Sequence, residues 1–298
     1  MMELTHIAQR QARLSSILRT ELKMSSTLIK RLKFQNAYSV NGASVHTDFP
    51  VKIGDLVRVK LDEPTPEYPA EDAPLHIVYE DESFIAVDKP AGMLVHPSSA
   101  CNTGTLANRL TAYYQKTDQP CAVHPVSRLD RDTFGVVLLA KNAHIHALMC
   151  AQSKAGQIEK VYHAAVFGAP PAPCGILEAP IARKAPPSLL RCIRSDGKEA
   201  RTQYRLLQTR GQAAMLELHP LTGRTHQLRI HCAHFGFPIL GDPQYANAQS
   251  QAFSLVHGLT YQQLCAVRLR FLHPLTEKMI EIRSDLDTSL DFLSEAEV

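Results

Sequence analysis

The residues best placed to do chemistry lie between Arg128 and Gly135. Arg128, Asp130, Arg131 and Asp132 alternate in charge just ahead of an expected turn, Thr133-Phe134-Gly135, and residues 136–140 are continuously apolar. Such a run reads as a strand buried on both faces. Asp130 is therefore expected on a loop that a rigid central strand holds in place, which suits a catalytic carboxylate. In a desolvated pocket an ionised carboxylate can act as a nucleophile or stabilise a developing positive charge. Without further context, a cluster of this kind is more often a solvated ion-pair loop.

Other constellations point to fewer chemistries. His226, His231, Cys232 and His234 crowd one stretch. Their spacing lacks the regular i, i+4 pattern and carboxylate partner of a metal site, so no metal is expected. There is no Gly-x-Gly-x-x-Gly and no phosphate-binding Walker loop, so neither redox cofactor nor nucleotide is called for. The seven cysteines are odd in number, scattered and free of any Cys-x-x-Cys pair. They read as reduced thiols that mostly fill the core.

The elements that must position Asp130 can be read on either side of it. At the start, Arg10, Arg13, Arg19, Lys23, Lys30, Arg31 and Lys33 face a single acid, Glu21. Leu14, Ile17 and Leu18 recur at helical spacing, and Ser25-Ser26-Thr27 opens a second helix. Val40-Asn41-Gly42 reads as a hairpin turn, and the chain alternates like a strand from Asp55 to Lys60. Residues 64–74 are rich in proline and acid and read as a semi-rigid linker.

Beyond it, residues 77–79 and 84–87 read as strands, and Asn142 as the cap of a helix over 143–154. Residues 158–168 alternate like a strand, and Arg183, Lys184, Arg191, Arg194, Lys198 and Arg201 form a second basic run that lines a groove for a polyanion or is simply solvated. A strand over 213–218 leads to a helix for which Thr225 is the expected N-cap and Gly236 the stop. The acidic tail after Ser284 is expected to fray.

With 298 residues, 45% of them hydrophobic, the chain can bury a sizeable core and divides naturally into two domains. No stretch is apolar enough for a membrane span or a signal peptide, so a cytoplasmic protein is expected, and a monomer is expected as well. The net charge is only +3. Any nucleic-acid surface must therefore come from local clustering of charge.

Three motifs in order give a more specific reading. Arg128-Leu129-Asp130-x-x-Thr133-x-Gly135 resembles the aspartate motif of the RluA-type pseudouridine synthases. Lys160-x-Tyr162-x-Ala164-x-Val166-x-Gly168 resembles their second motif. Thr222-Gly-Arg224-Thr-His-Gln-Leu-Arg229, continued by Pro238-Ile-x-Gly241-Asp242-x-x-Tyr245, resembles the third almost verbatim. Lys89-Pro-Ala-Gly92 and the closing segment from Leu264 to Pro274 agree with it. Ser127, Phe134 and Cys265 depart from the usual residues, His or Asn, Ser and His respectively.

The resemblance implies an α+β fold, a mixed and largely antiparallel central sheet flanked by helices, over residues 75–298. Residues 1–63 resemble the S-four-type RNA-binding domain. The implied activity is isomerisation of specific uridines to pseudouridine in structured RNA, rRNA foremost and tRNA otherwise, with no cofactor and no metal. Asp130 is then the catalytic carboxylate, Arg229 its ion-pair partner, Tyr162 the ring against the target base and Leu264 an apolar wall. Arg128, Arg224, Arg19 and Lys30 are expected to contact RNA. The alternative is an RNA-binding or RNA-remodelling protein that keeps the fold with weak catalysis.

Overall fold

The computed structural model describes residues 2–61, 68–98, 101–119, 121–185, 188 and 190–293. Residues 62 and 63 of the expected N-terminal domain, 64–67 of the expected linker and 294–298 of the expected frayed tail lie outside the described residues.

Residues 2–61 build a core of their own. Helices Leu14–Thr20 and Ser26–Lys33 set Leu14, Ile17, Leu18, Leu28, Ile29 and Leu32 against Val57, Val59 and Leu61 of the strand Leu56–Leu61. Ser25 caps the second helix by accepting a hydrogen bond from the Leu28 amide at 3.2 Å. A strand that sequence reasoning missed, Met2–Ile7, pairs antiparallel with Leu56–Leu61. The sheet runs Met2–Ile7, Leu56–Leu61, Tyr38–Val40, Ala43–Ser44.

The second body is organised by a ten-stranded sheet. Its main path is Cys174–Glu178, Arg201–Arg210, Ala213–Pro220, Glu159–Phe167, Leu264–Leu272, Phe134–Ala140, Phe84–Lys89 and His76–Glu80. One pairing is parallel, Phe134–Ala140 against Leu264–Leu272; the other described pairings are antiparallel. The mixed, largely antiparallel sheet of an α+β protein is thus present.

Every residue of Phe134–Ala140 is buried, because helices cover both faces. Val137 and Leu139 meet Leu106 and Leu110 of Leu106–Lys116, while Val136 and Leu138 meet Ile145 and Met149 of Ala143–Lys154. Asn142 caps the latter helix from its side chain at 2.9 Å. The helix Gln227–His234 lies over the other end of the sheet, with Leu228 and Cys232 on Ala164, Leu216 and Leu264.

Four expectations change. The turn falls at Arg131 and Asp132, one residue pair earlier than expected, and Gly135 lies inside the strand. Its φ of +98° and its closeness to Ala266 explain why: an added Cβ would meet Ala266 N at 2.8 Å and its carbonyl oxygen closer still. From Tyr68 on, the Pro-rich segment is fastened down rather than spanning a gap. The Asn108 amide donates to the Pro69 carbonyl, and Glu71 accepts from the Gly104 amide. The tail after Ser284 packs: Leu290 and Leu293 are buried against Ala165 and Met215. Finally, only Cys232 and Cys265 of the seven free cysteines are buried, so most are not core filler.

Candidate active site

Asp130 leaves the sheet on the loop just before Phe134–Ala140, and the strand behind it explains its fixed position. Two further ties hold that loop. The Lys89 ammonium, fully buried at the end of Phe84–Lys89, donates to the carbonyls of Pro90, Met93 and Arg131 at 2.8–2.9 Å. Burial pulls its pKa down to about 8, against the opposing charges of Asp132 and Asp130. The Thr133 hydroxyl is bound by the amide of Gln262, itself buried just before Leu264–Leu272. Lys89 was quoted only within a segment that agrees with the family resemblance, and nothing in its spacing marks it as the clamp of a distant loop.

Arg229 comes from the helix Gln227–His234, 99 positions along the chain from Asp130, and the fold brings the two together. Arg229 Nη1 donates to Asp130 Oδ2 at 3.0 Å. The rest of the guanidinium is engaged elsewhere. Nε and Nη2 form a fork on the Asp242 carboxylate at 2.7 and 2.8 Å, and Nη2 also reaches Gln244 Oε1 at 2.9 Å. The Tyr245 ring lies 4.9 Å from the Arg229 Cζ, within cation–π range. Burial alone would favour a neutral guanidine. The hydrogen bonds and charge of Asp242, then those of Asp130, more than offset it and keep Arg229 charged.

Asp242 was quoted within a motif without a role. It is the buried anchor of Arg229, with a side chain 1% exposed against 29% for Asp130. Its Oδ1 also accepts from the Gln244 and Tyr245 amides at 2.9 and 3.2 Å.

The helix begins differently from expectation. Its N-cap is His226, in the left-handed region at φ 58°, ψ 20°, not Thr225, and no side chain caps it. Thr222 instead donates to Gln227 Oε1 at 2.8 Å. This backbone turns the His226 ring toward the site, with Nε2 at 3.8 Å from Asp130 Oδ2 and Nδ1 at 2.7 Å from the Tyr245 hydroxyl.

Tyr162 sits half-buried on Glu159–Phe167, packed in one cluster with Leu264, which is 3% exposed. Burial first, and the negative charge of Asp130 second, push the Tyr162 phenol up, so it stays protonated. Arg128 is exposed on the aspartate loop, and Arg224 is exposed with its Nε donating to the Glu199 carbonyl at 2.9 Å. Arg19 and Lys30 are exposed on the two N-terminal helices and make none of the contacts above. Phe134 and Cys265, two of the three departures from the family pattern, are direct partners across the parallel pairing. A residue larger than the usual Ser therefore faces one smaller than the usual His.

A buried arginine thus fixes a partly exposed carboxylate near a tyrosine at the end of a mixed sheet. The model of the RNA pseudouridylate synthase family matches residues 83–234. An RNA pseudouridine synthase of Chloroflexus aurantiacus, itself uncharacterized, is 37% identical over 273 residues, covering 91% of this chain and 84% of the relative. The ribosomal large subunit pseudouridine synthase C of Vibrio cholerae is 31% identical over 291 residues, covering 94% and 91%. Among solved structures, human RNA pseudouridylate synthase domain containing 1 shares the fold, with a TM-score of 0.59 and 24% identity over 77% of this chain and 96% of that one.

The chain belongs to the RNA pseudouridylate synthase family, and its activity is the isomerisation of uridine to pseudouridine in RNA. Among the described residues, no helix is long and apolar enough to cross a membrane.

Proposed function

We propose that the chain modifies uridines in structured ribosomal RNA, with Asp130 as the catalytic carboxylate and Arg229 as the group that pairs with it and orients it. What supports this reading is the 3.0 Å pairing of Asp130 with an arginine that is itself held by Asp242. The ribosomal target rests on the relative from Vibrio cholerae, a large-subunit enzyme by name.

The reaction breaks the bond between C1′ and N1, turns the base and joins C1′ to C5; a proton leaves C5 and one is gained at N1. Asp130 acts as nucleophile or as stabiliser of the cationic sugar while the base is free. The target nucleotide must first leave its stack, at a cost of a few kcal/mol. Tyr162 stacking against the base, with Leu264 as an apolar wall, returns about 1–3 kcal/mol of that. Arg128 and Arg224, both exposed, are assigned to the RNA backbone around the flipped nucleotide.

Residues 1–63 are the RNA-binding domain in this reading, with Arg19 and Lys30 on its exposed helical surface, and residues 75–298 are the catalytic domain. The proposed localisation is the cytoplasm, and the proposed state is a monomer.

The test is Asp130→Asn, which keeps the shape and removes the charge. On RNA from cells lacking this gene, pseudouridine formation read by carbodiimide labelling should vanish while RNA affinity stays within about twofold of wild type. Pseudouridine formed by the Asn variant at an undiminished rate would falsify the assignment of Asp130.

A further inference from the structure

His226 occupies a conformation that costs a non-glycine residue free energy, and it does so beside the reacting carboxylate. Its backbone is left-handed, a state that persists at functional sites when the surroundings over-determine it. The ring lies between Tyr245 and Asp130, and the two partners favour one tautomer. The Tyr245 hydroxyl oxygen accepts from the Arg191 amide at 3.1 Å and can give its own proton to His226 Nδ1 at 2.7 Å, while the carboxylate beyond Nε2 can only accept. An imidazole that accepts at Nδ1 carries its proton on Nε2, which is the nitrogen facing Asp130 Oδ2.

The charged and titratable groups around the ring are Asp130, Arg229, Asp242, Arg191 and Tyr245. Burial, before any of these charges, lowers the pKa of His226 and keeps the ring neutral. A neutral ring with this tautomer is a hydrogen-bond donor toward the carboxylate and cannot take up a proton there.

Arg229 and His226 both approach Oδ2 of Asp130. Among the described residues nothing donates a hydrogen bond to Oδ1. The two oxygens of one carboxylate are thereby made unequal: Arg229 bonds Oδ2 at 3.0 Å and His226 lies 3.8 Å from the same oxygen.

We propose that His226 is a positioning residue for the isomerisation: its Nε2–H closes on Asp130 Oδ2 alongside Arg229, and leaves Oδ1 as the oxygen that meets C1′ of the target uridine. The inference rests on Asp130 being the reacting carboxylate, and it assigns Tyr245 the task of choosing the tautomer. Closure needs a movement of somewhat under 1 Å, from the 3.8 Å observed to a hydrogen bond of about 3 Å.

Three substitutions in the full chain test it. His226→Asn keeps a residue that tolerates the left-handed conformation but is too short to reach Asp130. His226→Gln restores an N–H near the position of Nε2 and has no tautomer to choose. Tyr245→Phe removes the hydroxyl and keeps the ring against Arg229. Single-turnover rates are measured at saturating RNA from cells lacking this gene, with affinity measured in parallel.

The expected result is a loss of tenfold or more in rate for His226→Asn with affinity within twofold, and recovery of most of that loss by His226→Gln. Tyr245→Phe should slow the wild-type background several-fold and leave the His226→Gln background unchanged. A full-speed His226→Asn enzyme overturns the proposal. So does an equal effect of Tyr245→Phe in both backgrounds, which marks the pair as merely structural. The cycle of Tyr245→Phe and His226→Gln decides the matter even where His226→Asn does not fold. Failure of the underlying reading shows separately, as activity in Asp130→Asn.

Discussion

Arg229 and Asp242 form a two-pronged ion pair, with distances of 2.7 and 2.8 Å, that is almost wholly buried. The bond from Arg229 to Asp130 is a third arm of the same guanidinium. Removing one member of a buried pair leaves the other charge uncompensated and costs roughly 3–5 kcal/mol. Asp242→Asn should therefore lower the denaturation midpoint sharply and slow turnover, whereas Asp130→Asn should leave stability near wild type. Urea titrations of the two variants check this. Equal stabilities would show that the fork contributes no more than the exposed arm.

Arg229→Lys tests geometry at constant charge. An ammonium cannot form the planar fork and also reach a second carboxylate. Turnover should fall about tenfold or more while RNA affinity changes little, since Arg229 acts on the rate rather than on binding. Steady-state kinetics separate the two: a rise in KM with unchanged kcat would assign Arg229 to RNA binding instead.

Gly135 carries the crossing of the two parallel strands. Gly135→Ala combines a strained φ with a Cβ at 2.8 Å from Ala266 N. Backbone lies on the far side, with no flexible side chain to give way. The variant should be destabilised by roughly 3 kcal/mol or more and should lose activity through movement of Asp130. Gly92→Ala is the control, because an added Cβ there meets nothing within 4 Å although φ is again positive. Thermal melts of both proteins distinguish crowding from strain alone.

His144 is buried at 2% exposure with its Nε2 unpartnered, and burial pulls its pKa down to about 4. A depressed folded-state pKa means that the unfolded chain binds the proton first. The contribution to stability is complete above the ordinary value of 6.5 and is lost as pH falls from there toward 4. The loss amounts to no more than about 3 kcal/mol. His144→Leu should flatten the fall in stability between pH 6.5 and 4 and should be the more stable protein at pH 5. Denaturation at pH 7 and pH 5 supplies the comparison, and a wild-type slope retained by the variant would acquit His144.

The N-terminal helices make a separate prediction. Residues 1–63 hold ten basic and six acidic residues, and Arg10 is partly spent on Glu21. Changing Arg19, Lys30 and Lys33 together to Ala should weaken RNA binding and flatten the plot of log K against log salt by about 0.7–0.9 per lost phosphate contact. Turnover at saturating RNA should not change. A slope identical to wild type would turn this surface toward solvent or a protein partner.

The pairing of Asp130 with Arg229 was legible because each lies in a recognisable run of residues. The central strands were legible because burial on both faces leaves no polar residue between 136 and 140. Arg201–Arg210 escaped notice for the opposite reason: of its ten residues only Thr202 and Tyr204 are buried. The packed tail was misread because its two anchoring leucines, Leu290 and Leu293, are surrounded by acids. The start of the helix at His226 was misplaced because Thr is the better cap by propensity, and a left-handed histidine carries no such signal. Asp242 and Lys89 could not be ranked above other charged residues, since their roles depend on partners 13 and 42 positions away.

The place of Leu264–Leu272 in the sheet has a consequence for how the chain comes off the ribosome. This strand lies between Phe134–Ala140 and Glu159–Phe167, yet it is synthesised about a hundred residues after either. During translation those two strands wait with open edges in the middle of the future sheet, and edges of that kind are prone to pair wrongly. The loop of Asp130 receives its Gln262 tie only at the end of this wait. A chain cut short before residue 264 would thus carry every residue of the aspartate and arginine motifs and still have no assembled site.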